Sequence, residues 1–105
     1  MSKRRMWIEL VPPELCPAAA ELCSSVLAEY PLAVVGVAGR FESDDFTFRF
    51  RINSEKWGKE LEIRQVMSPR ELESANYRGK MLKKLFRVFT RAEAKGPPKE
   101  TWKYA

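Results

Sequence analysis

The chain of 105 residues contains no histidine and only two cysteines, Cys16 and Cys23. Histidine is the usual proton shuttle near neutral pH and a common zinc ligand, so its absence removes the ordinary basis for acid–base catalysis and for a zinc site. The cysteines stand seven residues apart in a predicted helix. That spacing is about 10 Å along the helix axis, beyond the reach of a disulfide. We therefore expect no catalytic residue, no metal, no cofactor, no small-molecule substrate and two reduced thiols.

Long apolar runs are also missing. The longest, from Leu32 to Ala38, is far shorter than the roughly 20 residues that a membrane-spanning helix needs. Residues 3–5 have the charge of a secretion signal, but Glu9 and the prolines at 12–13 interrupt the chain before any apolar segment forms. The expectation is a cytoplasmic protein that does not bind membranes.

The charge that is present is unevenly distributed. The composition, 45% apolar and 31% charged, is that of a folded domain, and the net charge is +5. Residues 69–105 hold ten basic and four acidic side chains, whereas the rest of the chain is close to neutral. A basic segment at one end predicts a polyanionic partner, either nucleic acid or an acidic protein surface.

A predicted helix from Ser68 to Ala94 carries this charge. Ser68 and Glu71 form the capping-box pattern, with proline at the first helical position, and glycine and two prolines at 96–98 predict the end of the helix. At about 100° per residue the apolar side chains fall on one side of this helix. Five cations fall on the opposite side: Lys80, Lys83, Lys84, Arg87 and Arg91.

This basic face lacks acids that would neutralise it within the helix. From Ala75 to Ala92 there are six basic residues and no acidic one. Helices stabilised by their own surface pairs place glutamate four residues before lysine, and like charges at that spacing cost a few tenths of a kcal/mol. Two interpretations stay open: a solvated face that keeps the protein in solution, and a surface that the phosphates of a partner neutralise.

The whole chain predicts an α+β fold of one domain, residues 1–105. The expected order is strand, helix, three strands and helix: residues 6–11, 13 or 17 to 29, 32–41, 46–52, 60–67 and 68–94. Short links between the later strands predict an antiparallel meander of three strands, or of four with the first strand included. One apolar face per strand predicts a two-layer sandwich with both helices on one face. Residues 1–5 are expected to be frayed and 96–105 to form a tail.

Within the predicted sheet, some positions interrupt the regular pattern. Gly36 and Gly39 predict a bulge or the close approach of a helix. Val66 and Met67 break the alternation of the last strand, which indicates a second bulge, and residues 42–45 predict a turn.

The strand from Phe46 to Ile52 alternates aromatic and basic residues. Its phenylalanines share one face and are expected to be core, so the sequence does not predict a sheet that stacks bases. Arg49 and Arg51 point the other way, where they either pair with glutamates 60 and 62 or contact a partner.

Three aromatic residues outside the predicted core are candidates for contacts with a partner. Trp57 lies in the loop 53–59, and Trp102 and Tyr104 lie in the tail. Tryptophan and tyrosine are common hot-spot and stacking residues. The alternative is that the tail folds back and buries Trp102 against the domain.

Together these features predict a small non-enzymatic binding module that engages a polyanion, with nucleic acid preferred, through the five cations of the last helix. Arg49, Arg51, Trp102 and Tyr104 are expected to be auxiliary. The alternative is an adaptor or inhibitor, of the kind that phages and mobile elements encode, which docks on an acidic surface of a larger protein or nucleoprotein complex. A homodimer that closes over the open sheet face or over Trp102 is a third interpretation. No segment identifies a known family.

Overall fold

The computed structural model describes residues 5–40, 42–54, 59–95 and 103–104. In chain order its elements are β1 (Met6–Glu9), a 3₁₀ turn (Pro13–Leu15), α1 (Cys16–Glu29), β2 (Val34–Arg40), β3 (Ser43–Ser54), β4 (Lys59–Met67), α2 (Pro69–Glu73), α3 (Ala75–Lys95) and β5 (Lys103–Tyr104). The five strands form one sheet in chain order. The prediction of an α+β fold is confirmed.

The sheet is mixed rather than wholly antiparallel. β2, β3 and β4 form the predicted antiparallel meander, whereas β1 runs parallel to β2 and β5 runs parallel to β4. A helix separates each parallel pair along the chain, and such a crossover returns the next strand in the same direction. The first strand therefore does not extend the antiparallel meander. β5 forms within residues 96–105, which were expected to be only a tail.

One face of the sheet holds the core. Phe48 of β3 lies opposite Gln65 of β4, and Phe50 lies opposite Ile63, so these four side chains share a face, and all are buried. Both long helices add their apolar stripes to the same cluster: Ala19, Leu22, Cys23 and Val26 from α1, and Met81, Leu85, Phe89 and Ala92 from α3. The two-layer sandwich with helices on one face is therefore correct.

An aromatic cluster joins the two layers. The ring of Tyr30, which follows α1, lies 5.8 Å from Phe50, 5.6 Å from Phe86 and 4.5 Å from Phe89, measured between centroids. Phe50 and Phe89 also meet edge to face at 5.8 Å. Each such pair adds about 0.5–1.5 kcal/mol beyond the area that it buries. The cluster fixes the end of α1 against β3 and α3.

The bulge predicted at the glycines of β2 occurs between Gly39 and Arg40. A Cβ at Gly39 would lie 2.2 Å from the carbonyl oxygen of Leu10, so only glycine fits against that backbone. Leu10 itself has a φ of 55°, a left-handed conformation that costs an ordinary residue about 1–2 kcal/mol. The chain leaves β1 through this strained residue.

The bulge predicted at Val66 and Met67 is wrong. The register of β3 and β4 runs without a shift to the pair of Phe46 and Met67. Gln65 occupies a core position and is buried, and this polar residue is what hid the regular alternation in the sequence. The predicted turn at 42–45 is also shorter than expected, because β3 already begins at Ser43.

The helix predicted to run unbroken from Ser68 is divided at Ser74. The capping box is confirmed: the Glu71 amide donates to Ser68 Oγ at 3.2 Å, and the Ser68 amide donates to Glu71 Oε1 at 2.9 Å. Ser74 has extended backbone angles, φ −78° and ψ 114°, and ends α2. Its Oγ accepts from the Tyr77 amide at 3.1 Å, which caps the start of α3.

Arg78 holds this break together. Its Nη1 donates to the Leu72 carbonyl oxygen at 2.6 Å, and its Nη2 lies 3.2 Å from Glu21 Oε2 on α1. The Arg78 side chain is 8% exposed, against 67% for Glu21. One of the six basic residues counted between Ala75 and Ala92 is thus buried and adds nothing to the basic surface.

We predict that Arg78→Ala lowers the free energy of unfolding by about 2–3 kcal/mol, because it leaves the Leu72 carbonyl without its donor and opens a gap between helices. Glu21→Gln is the matched control and should cost less than about 1 kcal/mol, since Glu21 is mostly exposed. Urea unfolding followed by circular dichroism measures both. Equal losses in the two variants would contradict the role given to Arg78.

The capping box makes a second prediction. The Ser68 amide, with smaller help from the Tyr77 hydroxyl, lowers the pKa of Glu71 from its ordinary value of 4.5. The ionised carboxylate therefore adds stability above about pH 4.5 that is lost as the pH falls through the lowered pKa. We expect Glu71→Gln to be less stable than the wild type at about pH 7, with a smaller gap at about pH 3, by urea unfolding. A gap that is the same at both pH values would exclude this linkage.

Candidate functional site

The five cations predicted to share one side of the last helix do so in α3. All five side chains are exposed, whereas Met81, Leu85 and Phe89 of the same helix are buried. We call this surface the basic arc: Lys80, Lys83, Lys84, Arg87 and Arg91. At 1.5 Å per residue it is about 16 Å long.

The acidic residues of α1 do not neutralise the basic arc in the described part of the chain. Glu21, the α1 glutamate that forms an ion pair there, is paired with the buried Arg78. Four members of the arc form no ion pair with any other described residue: Lys80, Lys83, Arg87 and Arg91.

Lys84 has a different environment from the other members of the arc. Its side chain helps to line a small void of about 10 Å³ beside Phe48, Ile63 and Gln65, at the edge of the core. The residue is nevertheless exposed. A lysine placed in this way covers apolar surface with its methylene groups.

The arc concentrates like charge. Neighbouring members are three or four residues apart, the spacing at which side chains on a helix face each other. Each such like-charged pair costs a few tenths of a kcal/mol in the absence of counter-charges. An anion that binds across the arc removes this cost and gains the Coulomb attraction of several cations at once.

The structure separates Arg49 and Arg51 from the basic arc. Both lie on the sheet face that points away from the helices, and both form the cross-strand pairs predicted for them. Arg49 Nε is 3.5 Å from Glu62 Oε1, and Arg51 Nη1 is 3.8 Å from Glu60 Oε1. They therefore belong to a second surface, on the opposite side of the domain.

Trp7 is a residue of this second surface that the sequence analysis did not identify. Met6 and Ile8 pack against the core, so Trp7 and Glu9 point to the other face of β1. The six-membered ring of Trp7 lies on Gly36: a Cβ there would come within 1.8–2.2 Å of three ring carbons. The close approach predicted at Gly36 is thus made by an indole ring and not by a helix. The alternation of Met6 to Glu9 is the sequence signal that could have identified it.

The other aromatic candidates are described only in part. Trp57 and Trp102 lie outside the described residues. The backbone of Tyr104 is in β5, opposite Gln65 of β4. Their proposed roles as contacts with a partner stay predictions.

Within the described residues there is no helix long and apolar enough to cross a membrane. In the same ranges no group of three histidine, cysteine, aspartate or glutamate residues could hold a metal ion.

Both cysteines are free thiols on α1. Cys23 is buried in the core, and burial raises the pKa of its thiol to about 12. Cys16 is partly exposed, and its Sγ lies 3.5 Å from the Val11 carbonyl oxygen. Because of its raised pKa, the Cys23 thiol is protonated at neutral pH and is a poor nucleophile.

Comparison of the chain with known protein families, with curated proteins and with solved structures finds no match in any of the three.

We predict that the two thiols differ in reactivity. In the native protein at about pH 8, a thiol reagent should modify Cys16 and leave Cys23 unmodified until the chain is unfolded, because the buried thiol is both inaccessible and protonated. Cys16→Ser and Cys23→Ser variants, quantified by mass spectrometry before and after adding denaturant, identify which thiol reacts. Rapid modification of Cys23 in the folded Cys16→Ser variant would contradict the burial.

Proposed function

We propose that this protein is a small binding module that engages nucleic acid through the basic arc of α3. The observation that supports the proposal is the arc itself: five exposed cations on one helix face, four of them without an ion pair in the described part of the chain. Nothing in the arc distinguishes one base from another, so the expected binding is to phosphates and largely independent of sequence.

The dimensions of the arc suit a phosphate backbone. Phosphates of one strand of a duplex are about 3.4 Å apart along the helix axis, so a surface about 16 Å long spans roughly five of them. Lysine and arginine contact phosphates without requiring a particular base. The apolar stripe of α3 is used in the core, so the helix offers only its charged side to a partner.

We predict that the affinity for mixed-sequence DNA or RNA falls on the order of a hundredfold between about 50 and about 200 mM salt, because four or five phosphate contacts release that many counterions. Lys83→Glu/Arg87→Glu should weaken binding at low salt and reduce the slope of log affinity against log salt by about two. Fluorescence anisotropy with labelled oligonucleotides measures both quantities.

The matched control is Arg40→Glu/Arg70→Glu, which removes the same amount of positive charge at exposed positions outside the arc. It should bind more tightly than the α3 variant and keep the wild-type salt slope. Equal losses in the two variants would show that net charge, and not the arc, governs binding. No binding at low salt would refute the nucleic-acid proposal. A pull-down from nuclease-treated lysate that depends on Lys83 and Arg87 would then favour an acidic protein surface as the partner.

A further inference from the structure

We propose that the sheet face opposite the helices is a second binding site, which accepts an unpaired nucleotide of single-stranded nucleic acid. Trp7 would stack on the base, and Arg49 and Arg64 would contact the phosphates beside it. The inference rests on the proposed function for the class of ligand, but it concerns different residues on the opposite face of the domain.

The site is built by three adjacent strands in register. Trp7 of β1 pairs with Gly36 of β2, Gly36 with Arg49 of β3, and Arg49 with Arg64 of β4. Residues paired in this way form one row across a sheet, with strands about 4.8 Å apart. Because Gly36 has no side chain, the Trp7 ring occupies its place in the row, and the ring and Arg49 line the same concavity.

The Trp7 ring is positioned for stacking. Three carbons of its six-membered ring lie over Gly36, and the residue as a whole is only partly buried. An indole fixed in this way loses little conformational entropy on binding. Stacking on a base is worth about 1–3 kcal/mol and tolerates any base.

The two arginines are not fully neutralised by their shared partner. Arg49 Nε and Arg64 Nε lie 3.5 and 3.4 Å from the same atom, Glu62 Oε1, and the arginine side chains are 41% and 51% exposed. Glu9 lines the same concavity, so Glu62 and Glu9 together balance the charge of the two guanidinium groups. The arginines nevertheless oppose each other directly and share one carboxylate oxygen, which leaves guanidinium N–H groups that Glu62 does not accept. A phosphate oxygen is an acceptor that suits these donors.

An open concavity of about 420 Å³ connects these groups, and Glu9, Ala38 and Thr47 complete its lining. Ala38 leaves room over β2, while the Thr47 hydroxyl and the Glu9 carboxylate are polar groups within the same depression. An aromatic platform beside cations and hydrogen-bonding groups is the combination that single-stranded nucleic acid requires. A base within a duplex is already stacked on both sides and cannot reach the Trp7 ring.

The test compares a short oligothymidylate with a duplex of mixed sequence, by anisotropy at low salt. Trp7→Ala should weaken binding of the single strand roughly tenfold, as expected for the loss of one stacked base. Its affinity for the duplex should stay within about twofold of the wild type. Arg64 is half-exposed, so Arg64→Gln should disturb the fold less than Trp7→Ala does. This variant should also bind the single strand more weakly without losing affinity for the duplex. Arg70→Gln on α2 is its control and should bind the single strand as the wild type does.

A second measurement does not depend on removing Trp7. The chain has three tryptophans, so Trp57→Phe/Trp102→Phe leaves Trp7 as the sole emitter. Stacking of thymine on the ring should quench its fluorescence as the oligothymidylate saturates the protein, and the duplex should not. Absence of quenching, or equal losses for single strand and duplex in Trp7→Ala, overturns the proposal.

The two proposals fail in different ways. Lys83→Glu/Arg87→Glu tests the basic arc and should weaken single strand and duplex alike while Trp7 quenching persists at saturation. Wild-type affinity in that variant would refute the proposed function, whereas wild-type affinity in Trp7→Ala for the single strand would refute only the sheet site.

Discussion

The fold depends on the one-sidedness of the sheet. In β3 and β4 every second side chain belongs to the core, and the residues between them are polar or charged except for Val66. Helices can cover only the apolar face, so α1 and α3 lie together on it and bury their own stripes there. The cations of α3 and the arginines of the sheet are consequently left on two opposite outer surfaces of the same small domain. Packing alone therefore places the basic arc on one side of the domain and a mixed set of arginines and glutamates on the other.

Local patterns were sufficient to predict most of the elements. The phenylalanine alternation of β3 and the capping box at Ser68 depend on residues that are close in the chain, so the sequence reveals them directly. The division of the helix at Ser74 is accompanied by a contact of Arg78 with Glu21 on α1, 57 residues earlier in the chain. A contact between residues so far apart in the chain leaves no local pattern in the sequence. The apolar stripe of the predicted helix also continues across the break. The direction of β1 and the existence of β5 are likewise decided by how the helices return the chain to the sheet.

The candidate site was predictable to a similar extent. Exposure of the five cations follows from helix periodicity, since the opposite stripe must be buried. Their grouping with Arg49 and Arg51 was an inference from charge alone, and the sheet lies between the two sets. The position of Trp7 on the outer face was not predicted, because four residues are too few for the alternation of β1 to be distinct in the sequence. The partnership of Trp7 with Gly36 depends on strand register, which composition does not encode.

The strand order of the sheet equals the order of synthesis. Each strand is laid beside the one that left the ribosome just before it, with at most one helical crossover between them. The connections within the meander are short, and the longer crossovers from Glu9 to Val34 and from Met67 to Lys103 add only modestly to the cost, because loop-closure entropy grows slowly with length. Exposed strand edges are what nascent chains use for unwanted association. In a sheet assembled in this sequential manner, each new edge is covered by the next strand of the chain and not by a strand from a distant part of the sequence.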